Sequence, residues 1–512
     1  MKPILICLSV VVALASSFAR VGSRAVEIPW RISHYENVLG TSMELKLRAS
    51  SEEAADHAEA EALGEIKRLN GILSGYDATS EFSRWAATQG EAMRISPELL
   101  QVLELWDTWR DRTGGVLNPA VQSITRVWSQ AEASGRMPSP SDLAAAVQNA
   151  RSPQWRLSAN LETAARLTGK PLMLNSFTKS YVVEHAAAAA LRSPGISGVV
   201  LNIGGDLVVR GTGSDIVNLA DPRSSAENSD PVDVLNVSDR AVATSGNYRR
   251  GFLIGGQHYS HILDPRTGQT AEAIISATVV AQHAVDAGAL ATAFCILTPE
   301  KSRQLAASVS GSEYMLIGKD GTRYQSAGWN TLQAPRVQYL LAQAGQQSKP
   351  AVGKDSGIWN AAYELTINME IPQTQGFGAR RPYVAVWIED KDKFPVRTLA
   401  VLFEKSRWLN ELRAWYRDDR LRAMSEGSEI LNSVTSATRS PGKYAFKWDG
   451  KDNAGKPVKA GSYTVLLEAA REHGGYSLDR REMSFNGEPS QAQLPSSAEL
   501  GNVLLDYHKV AR

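Results

Sequence analysis

The chain has 512 residues, of which 43% are hydrophobic and 21% are charged, a composition that excludes a disordered protein. This length exceeds one ordinary core and favours two to four domains. Because 55 basic and 54 acidic residues give a formal net charge of +1 without a block of positive charge, we do not expect nucleic acid as the main partner.

The first residues have the pattern of an export signal. Lys2 supplies positive charge, Ile4 to Ala15 is a short apolar run, and small residues follow it, which predicts a signal peptide over residues 1–25. The run is too short to cross a bilayer core of about 30 Å, so we expect no permanent membrane anchor. We therefore predict a periplasmic or otherwise exported location. The one cysteine beyond the signal, Cys295, lies in an apolar stretch that predicts a buried thiol.

Helical and extended patterns alternate over residues 26–344, which predicts a first domain of mixed α/β (α+β) class. The predicted helices are Glu52–Leu73, Pro97–Arg112, Lys179–Leu191 and Val285–Leu297. The predicted strands are Met43–Leu47, Gly198–Ile203, Asp206–Arg210 and Ser276–Val280.

The texture changes after residue 344. Residues 345–356 have almost no apolar content and predict a linker. Beyond them, apolar and polar residues alternate with the period of half-buried strands, and tight-turn pairs such as Asp449-Gly450 separate them. We predict an all-β, immunoglobulin-like sandwich over residues 357–512. Five of the 12 tryptophans of the chain lie there: Trp359, Trp387, Trp408, Trp415 and Trp448.

Four polar motifs lie between Leu172 and Thr292, and each has an ordinary structural alternative. Gly204 and Gly205 follow a strand, so a phosphate could approach their backbone, or they could form a simple turn. The segment Thr244-Ser245-Gly246 offers hydroxyl and N–H groups that suit a phosphate, or a cap. The other two motifs are Lys179 in LNSFTKSY and His261 before a DPRTG turn.

The order and spacing of these motifs resemble the FAD:protein FMN transferases, the ApbE family, over about residues 38–297. The resemblance implies an enzyme that moves FMN from FAD to a threonine hydroxyl of an acceptor protein and releases AMP. It implies FAD as substrate, Mg²⁺ as cofactor, and an acceptor protein with a threonine-containing motif as partner. His261 would act as general base or position the acceptor, and Lys179 would contact FAD.

Further residues match the flavin-binding positions of the family. Leu39 lies in a segment like the Met-Gly-Thr entry strand, and Tyr76 matches the aromatic side chain that stacks on the isoalloxazine. The remaining implied flavin and phosphate contacts are Val116, Leu117, Asn118, Met173, Gly204, Gly205, Thr244, Ser245 and Gly246.

The chain departs from the family pattern at four of these motif positions. Asn118 and Met173 stand where aspartates are usual, and Ser180 stands where a glycine is usual. Gly288 replaces the aspartate that binds magnesium in the family, so this chain has no carboxylate there.

The resemblance implies a metal site made by Thr292 and a backbone carbonyl, whose counterpart here is Thr178. Asp286 is the nearest carboxylate in sequence, but it is six residues from Thr292. The two could meet only if the helix begins after Asp286. Asp206 and Glu184 are further candidates for the missing ligand.

Two alternatives to a transferase stay open. The chain could be a flavin-binding or scaffold relative that has lost the metal, or its function could lie in a sandwich that exposes tryptophans to a protein or glycan. The sandwich resembles modules of flagellar hook-capping proteins and a C-terminal extension of some flavin transferases. Thr438, in NSVTSAT, resembles an acceptor motif and could itself carry FMN.

Overall fold

The computed structural model describes residues 30–224, 231–247, 250–334, 357–372, 382–403, 411–426, 435–437, 442–471, 475–497 and 499–510. The predicted signal peptide, the predicted linker, Trp408 and Thr438 lie outside these residues. Within the described ranges no helix combines the length and apolar character needed to cross a bilayer.

The described residues of the first region form eight α-helices. They are α1 Glu52–Leu73, α2 Glu81–Ala86, α3 Pro97–Arg112, α4 Val121–Ser134, α5 Pro140–Arg151, α6 Thr178–Leu191, α7 Ala284–Phe294 and α8 Pro299–Ala307. The predicted helices correspond to α1, α3, α6 and α7, and α7 begins one residue earlier and ends three residues earlier than predicted.

Fifteen strands accompany these helices in the part of the region that the structure describes. They are β1 Arg31–Val38, β2 Thr41–Ala49, β3 Ala92–Arg94, β4 Trp155–Ser158, β5 Thr163–Arg166, β6 Ile196–Ile203, β7 Asp206–Gly211, β8 Asp215–Leu219, β9 Asp233–Val237, β10 Ala241–Gly246, β11 Gly251–Ile254, β12 Gln257–Ser260, β13 Ile274–Ala281, β14 Glu313–Gly318 and β15 Arg323–Gln325.

The centre of this region is one eight-stranded sheet. Its strand order is β1-β2-β6-β7-β10-β13-β14-β15, and every neighbouring pair is antiparallel. The mixed α and β prediction is confirmed, with the helices laid against an antiparallel sheet. Three small sheets complete it, β3-β5-β4, β8-β9 and β11-β12.

The two faces of the large sheet carry different cores. Along β6, Val199, Leu201 and Ile203 face the helices, whereas Val200 packs on the other face with the β8-β9 hairpin and Trp329. This alternation is the period-two signature of a strand buried on both sides.

Helix α1 shows how local sequence and packing agree. The Ser51 side chain caps it by accepting a hydrogen bond from the Ala54 N–H, and Glu52 and Glu53 follow in the first turn. Its buried residues recur at helical spacing: Ala55, Ala58, Ala62, Ile66, Leu69 and Leu73. Helix α1 packs on α6, whose alanine run contributes buried alanines in the same core, so small side chains allow close approach.

The C-terminal region consists of nine described strands and one described helix. They are β16 Tyr363–Ile371, β17 Tyr383–Glu389, β18 Pro395–Phe403, α9 Arg413–Glu426, β19 Thr435–Ala437, β20 Gly442–Trp448, β21 Gly461–Ala470, β22 Tyr476–Phe485, β23 Ser490–Leu494 and β24 Val503–Lys509. One sheet has the order β20-β16-β24-β23 and the other β19-β18-β17-β21-β22.

The two C-terminal sheets bury a shared core, as a sandwich requires. Ile367 and Leu505 from one sheet lie in the same apolar cluster as Val386 and Val465 from the other. The predicted sandwich is confirmed, and the sequence did not predict α9, which covers the outer face of the second sheet.

The described tryptophans of this region are inside it. Trp359, Trp387, Trp415 and Trp448 are each at most 5% exposed, and the Trp359 and Trp448 rings lie 4.7 Å apart. The expectation of exposed tryptophans that bind a partner is therefore wrong for these four, because they form the aromatic core.

A buried carboxylate fixes α9 to the sandwich. Glu468 on β21 is fully buried and accepts hydrogen bonds from the Ala414 and Trp415 N–H groups, at 2.9 and 2.8 Å, and from the Tyr476 hydroxyl at 2.7 Å. It thus satisfies free N–H groups at the helix start with negative charge.

We expect Glu468→Ala to lower the free energy of unfolding by about 2 kcal/mol, because two buried N–H groups lose a charged acceptor. Glu482→Ala, at an exposed glutamate of the neighbouring strand, is the matched control and should change it by less than about 0.5 kcal/mol. Urea unfolding of the full chain measures both, and equal losses would contradict this role for Glu468.

Candidate functional site

The Leu39, Gly204 and Lys179 motifs of the first region meet at one end of the large sheet. Met43 of β2 lies opposite Ile203 of β6, so the β1-β2 turn and the β6-β7 turn lie side by side. Leu39 and Gly40 form the first turn, both with left-handed φ, of 51° and 77°. The Gly204 N–H donates to the Ser42 carbonyl at 3.1 Å and ties the two turns together.

Gly204 is required here by space as well as by conformation. Its φ is 57°, and a Cβ at this position would lie 2.6 Å from Cγ2 and 2.8 Å from Oγ1 of Thr41. Gly205, with φ of 94°, has open space around a Cβ position, and its N–H donates to Asn202 Oδ1 at 3.1 Å. The turn therefore presents bare backbone at the sheet end.

Lys179 holds its charge against this turn. It is the second residue of α6, and its Nζ donates to the Gly204 carbonyl at 3.1 Å and lies 3.5 Å from Asp206 Oδ2. Burial raises the pKa of Asp206, and attraction to the Lys179 ammonium offsets part of that rise. The result is a fixed ammonium beside an exposed glycine turn.

The end of β10 brings hydroxyl groups to the same place. Ala243 lies opposite Asp206, so Thr244, Ser245 and Gly246 continue beyond it towards the glycine turn. The Thr244 hydroxyl shares a hydrogen bond of 2.9 Å with Thr278, and the Ser245 hydroxyl lies 3.3 Å from Thr292 Oγ1. The buried Cys295 thiol donates to the Ser245 carbonyl at 3.5 Å.

Tyr76 is an aromatic side chain held ready on the surface. It is 86% exposed, and its hydroxyl accepts a hydrogen bond of 2.6 Å from the Asn175 amide. Asn175 lies in the segment that leads into α6 and Lys179. The ring is therefore free to stack on a flat ligand while its far end is anchored.

The side chains around Asn118 are buried and hydrogen-bonded within the first region. Val116 and Leu117 are each 1% exposed, and the Asn118 amide donates to the Ala150 carbonyl at 2.7 Å and accepts from the Ala120 N–H at 2.9 Å. These contacts fix the loop, and the role of Val116, Leu117 and Asn118 as flavin contacts stays a prediction. The Met173 N–H donates to the Pro119 carbonyl at 2.8 Å and joins this loop to the segment before α6.

His261 is positioned to accept a proton. Its Nδ1–H donates to the Arg250 carbonyl at 3.1 Å, which leaves Nε2 as the free acceptor of the neutral ring. Partial burial lowers the pKa of His261 from its ordinary value, the hydrogen bond to the Arg250 carbonyl opposes this, and the Arg250 charge lowers the pKa further. The ring is therefore neutral at neutral pH, as a general base requires.

The turn after His261 is internally braced. Asp264 accepts hydrogen bonds from the Arg266 N–H and guanidinium, and the Trp128 indole donates to the Gly268 carbonyl. The Asn247 side chain donates to the Ala271 carbonyl, which connects the His261 loop to the end of β10. Asn175 and Thr41 lie in the segments that carry the Lys179 and Leu39 motifs, but their contacts arise only in the folded chain.

The predicted magnesium ligands do not come together. Helix α7 begins at Ala284, so it includes both Asp286 and Thr292, which lie about 9 Å apart along its axis and on different faces. Thr292 faces the Ser176 carbonyl at 3.3 Å, not that of Thr178, whose hydroxyl donates to the Leu174 carbonyl.

The two other carboxylates considered for the site are engaged elsewhere. Glu184 accepts hydrogen bonds from the Arg210 guanidinium and from the Ala284 N–H, and Asp206 forms an ion pair with Lys179. Among the described residues no group of three or more His, Cys, Asp or Glu side chains is placed to hold a metal. The oxygens around Thr292 are neutral, so the residues present do not fit a magnesium ion.

Comparisons with known proteins agree with this architecture. The model of the ApbE family matches residues 39–316. An FAD:protein FMN transferase of Treponema pallidum is 26% identical over 345 residues, covering 63% of this chain and 93% of its own. One of Klebsiella pneumoniae is 23% identical, covering 59% and 87%.

A solved structure shows the same fold. The crystal structure of the ApbE protein of Thermotoga maritima has a TM-score of 0.53 at 23% identity and covers 60% of this chain and all of that one. The C-terminal region matches a second family, described as "Predicted periplasmic protein (DUF2271)", over residues 364–502, which replaces the expected hook-capping likeness.

The paired glycines of the β6-β7 turn give a matched test. Gly205→Ala should cost about 1–2 kcal/mol from its left-handed backbone, whereas Gly204→Ala should cost about 1–3 kcal/mol more because of Thr41. Thermal or urea unfolding measures the difference, and Thr41→Ala should recover part of the Gly204→Ala loss. Equal losses for the two glycine variants would show that the contact with Thr41 does not constrain the turn.

Proposed function

This chain belongs to the ApbE family, and on that basis we propose that it transfers FMN from FAD to a threonine hydroxyl of an acceptor protein and releases AMP. The observation that carries the proposal is the sheet end where Lys179 contacts the Gly204 turn and where β10 ends with the Ser245 hydroxyl. Bare backbone, a fixed ammonium and hydroxyl donors together suit a pyrophosphate.

The transfer forms one bond and breaks one bond at the same phosphorus atom. The acceptor hydroxyl oxygen forms a bond to the phosphorus of the FMN half, while the bond from that phosphorus to the bridging oxygen breaks. The bridging oxygen leaves with AMP. The hydroxyl proton passes to Nε2 of His261, whose Nδ1–H stays bonded to the Arg250 carbonyl and keeps the ring oriented.

The chain's own residues supply binding and orientation for this step. Lys179 would neutralise charge on the pyrophosphate near Gly204. Tyr76, anchored by Asn175, would stack on the isoalloxazine. The described residues near Thr292 do not fit magnesium, so binding and orientation are assigned to these side chains alone.

We also infer an exported location for this chain and a protein as the acceptor of FMN. The match to a predicted periplasmic family over residues 364–502 supports a periplasmic location reached through a signal peptide over residues 1–25. The acceptor is a protein with a threonine-containing motif. Thr438 of this chain is one candidate acceptor.

A non-catalytic, flavin-binding relative is the second candidate function. The observation that favours it is the metal site, where Gly288 offers no carboxylate and Asp286 points elsewhere. Such a protein would keep Tyr76 and the glycine turn for binding and would release no AMP.

Replacing Lys179 tests the binding site and the activity together. Lys179→Met should weaken FAD binding at least about tenfold, since a charge-assisted hydrogen bond contributes about 1.5–3 kcal/mol. Lys170→Met, at an exposed lysine, should leave binding unchanged. Quenching of flavin fluorescence measures affinity for the full chain, and unaltered affinity of Lys179→Met would contradict the assigned phosphate site.

The wild-type chain, incubated with FAD and a threonine-bearing acceptor protein, decides between the two functions. AMP release that matches covalent flavin fluorescence on the acceptor supports the transferase. Fluorescence on the chain itself, lost in Thr438→Ala, identifies a built-in acceptor. FAD binding without AMP release or covalent flavin supports the non-catalytic relative.

The pH dependence of AMP release tests His261. A general base must be neutral, so the rate should fall as pH decreases through a pKa below 6.5 and stay level above it. His261→Asn should abolish this acidic limb together with most of the rate. His258→Asn, at a neighbouring histidine, should retain the limb, because the base stays in place; an unchanged limb in His261→Asn would assign the base elsewhere.

A further inference from the structure

Helices α6 and α7 cross in opposite directions beside the glycine turn. At one contact the Thr292 hydroxyl donates to the Ser176 carbonyl at 3.3 Å. Four residues further along α6 and four residues back along α7, Ser180 faces Gly288. Position 288 therefore lies on the same face of α7 as Thr292, one turn away. It is the position from which a carboxylate could join the oxygens of Thr292 and Ser176 around a cation.

Ser180 fills the space that such a carboxylate would need. A Cβ placed on Gly288 would lie 2.2 Å from Ser180 Oγ, 3.2 Å from Ser180 Cβ and 3.5 Å from the Phe177 Cα. Rotating the Ser180 hydroxyl away removes the first contact and leaves the other two. Any side chain at position 288 is therefore forced against α6 while a serine occupies position 180.

The Ser180 hydroxyl is itself unusual. It is buried and makes no hydrogen bond of normal geometry with the described residues, although it lies near enough to Asp206 to favour its ionised form.

We propose that Ser180 and Gly288 are a coupled pair that removes a divalent-cation site from this crossing, and that the two positions decide cation binding only together. With serine and glycine, the crossing offers the neutral oxygens of Thr292, Ser245 and Ser176. Glycine at 180 would open the space that aspartate at 288 needs to bring a charged oxygen to them.

The test measures Mn²⁺ binding by the full chain, from the loss of the free Mn²⁺ signal in electron paramagnetic resonance. Ser180→Gly with Gly288→Asp should bind Mn²⁺ at least about tenfold more tightly than the wild type, because ligand charge sets cation affinity. Gly288→Asp alone should bind no better than the wild type and should unfold at lower temperature.

Alanine at position 288 separates space from ligation. Gly288→Ala should lower the melting temperature, and adding Ser180→Gly should restore it without any gain in Mn²⁺ affinity. If Gly288→Asp alone yields no folded protein while the double variant folds and gains affinity, the coupling is supported in the same way.

Three results would overturn the proposal. They are a wild type that binds Mn²⁺ as tightly as the double variant, a Gly288→Asp variant that matches the double variant in both affinity and stability, and a double variant with no gain. Because the measurement needs neither FAD nor an acceptor, it stands apart from the transferase activity, and failure of one leaves the other intact.

Discussion

The antiparallel register of the central sheet is the constraint on which the site depends. It places Met43 opposite Ile203 and Ala243 opposite Asp206. The ends of strands β2, β6 and β10 therefore lie at the same end of the sheet. A shift of one residue would turn the core side chains of these strands to the wrong face. Because both faces of the sheet are buried, that shift is excluded, and the turn at Gly204 is fixed with it.

Helix α6 connects this framework to the chemistry. Its alanine face packs on α1, its second residue holds an ammonium at the glycine turn, and Ser180 meets Gly288 of α7. Lys179 contacts the Gly204 turn, whereas the next residue, Ser180, faces Gly288 of α7. The two proposed sites, for a phosphate and for a cation, thus depend on different faces of one helix.

Local signals predicted the elements whose ends are set by neighbouring residues. Ser51 and Ser96 cap α1 and α3, and both helices match their predicted bounds. The motif residues around Lys179 and Gly204 could also be found in the sequence. The clash that a side chain at position 288 would make could not be found there, because its partner Ser180 is distant along the chain. Half of the 14 residues of helix α9 are charged, and its position depends on the buried carboxylate of Glu468.

The thiol beneath the end of β10 has a consequence for the chain's tolerance of oxidants. Burial raises the pKa of Cys295 to about 12, so almost none of it is thiolate at neutral pH. Disulfide exchange and peroxide attack both begin from the thiolate. We therefore expect the Cys295 thiol, which donates to the Ser245 carbonyl, to stay reduced in an oxidising compartment.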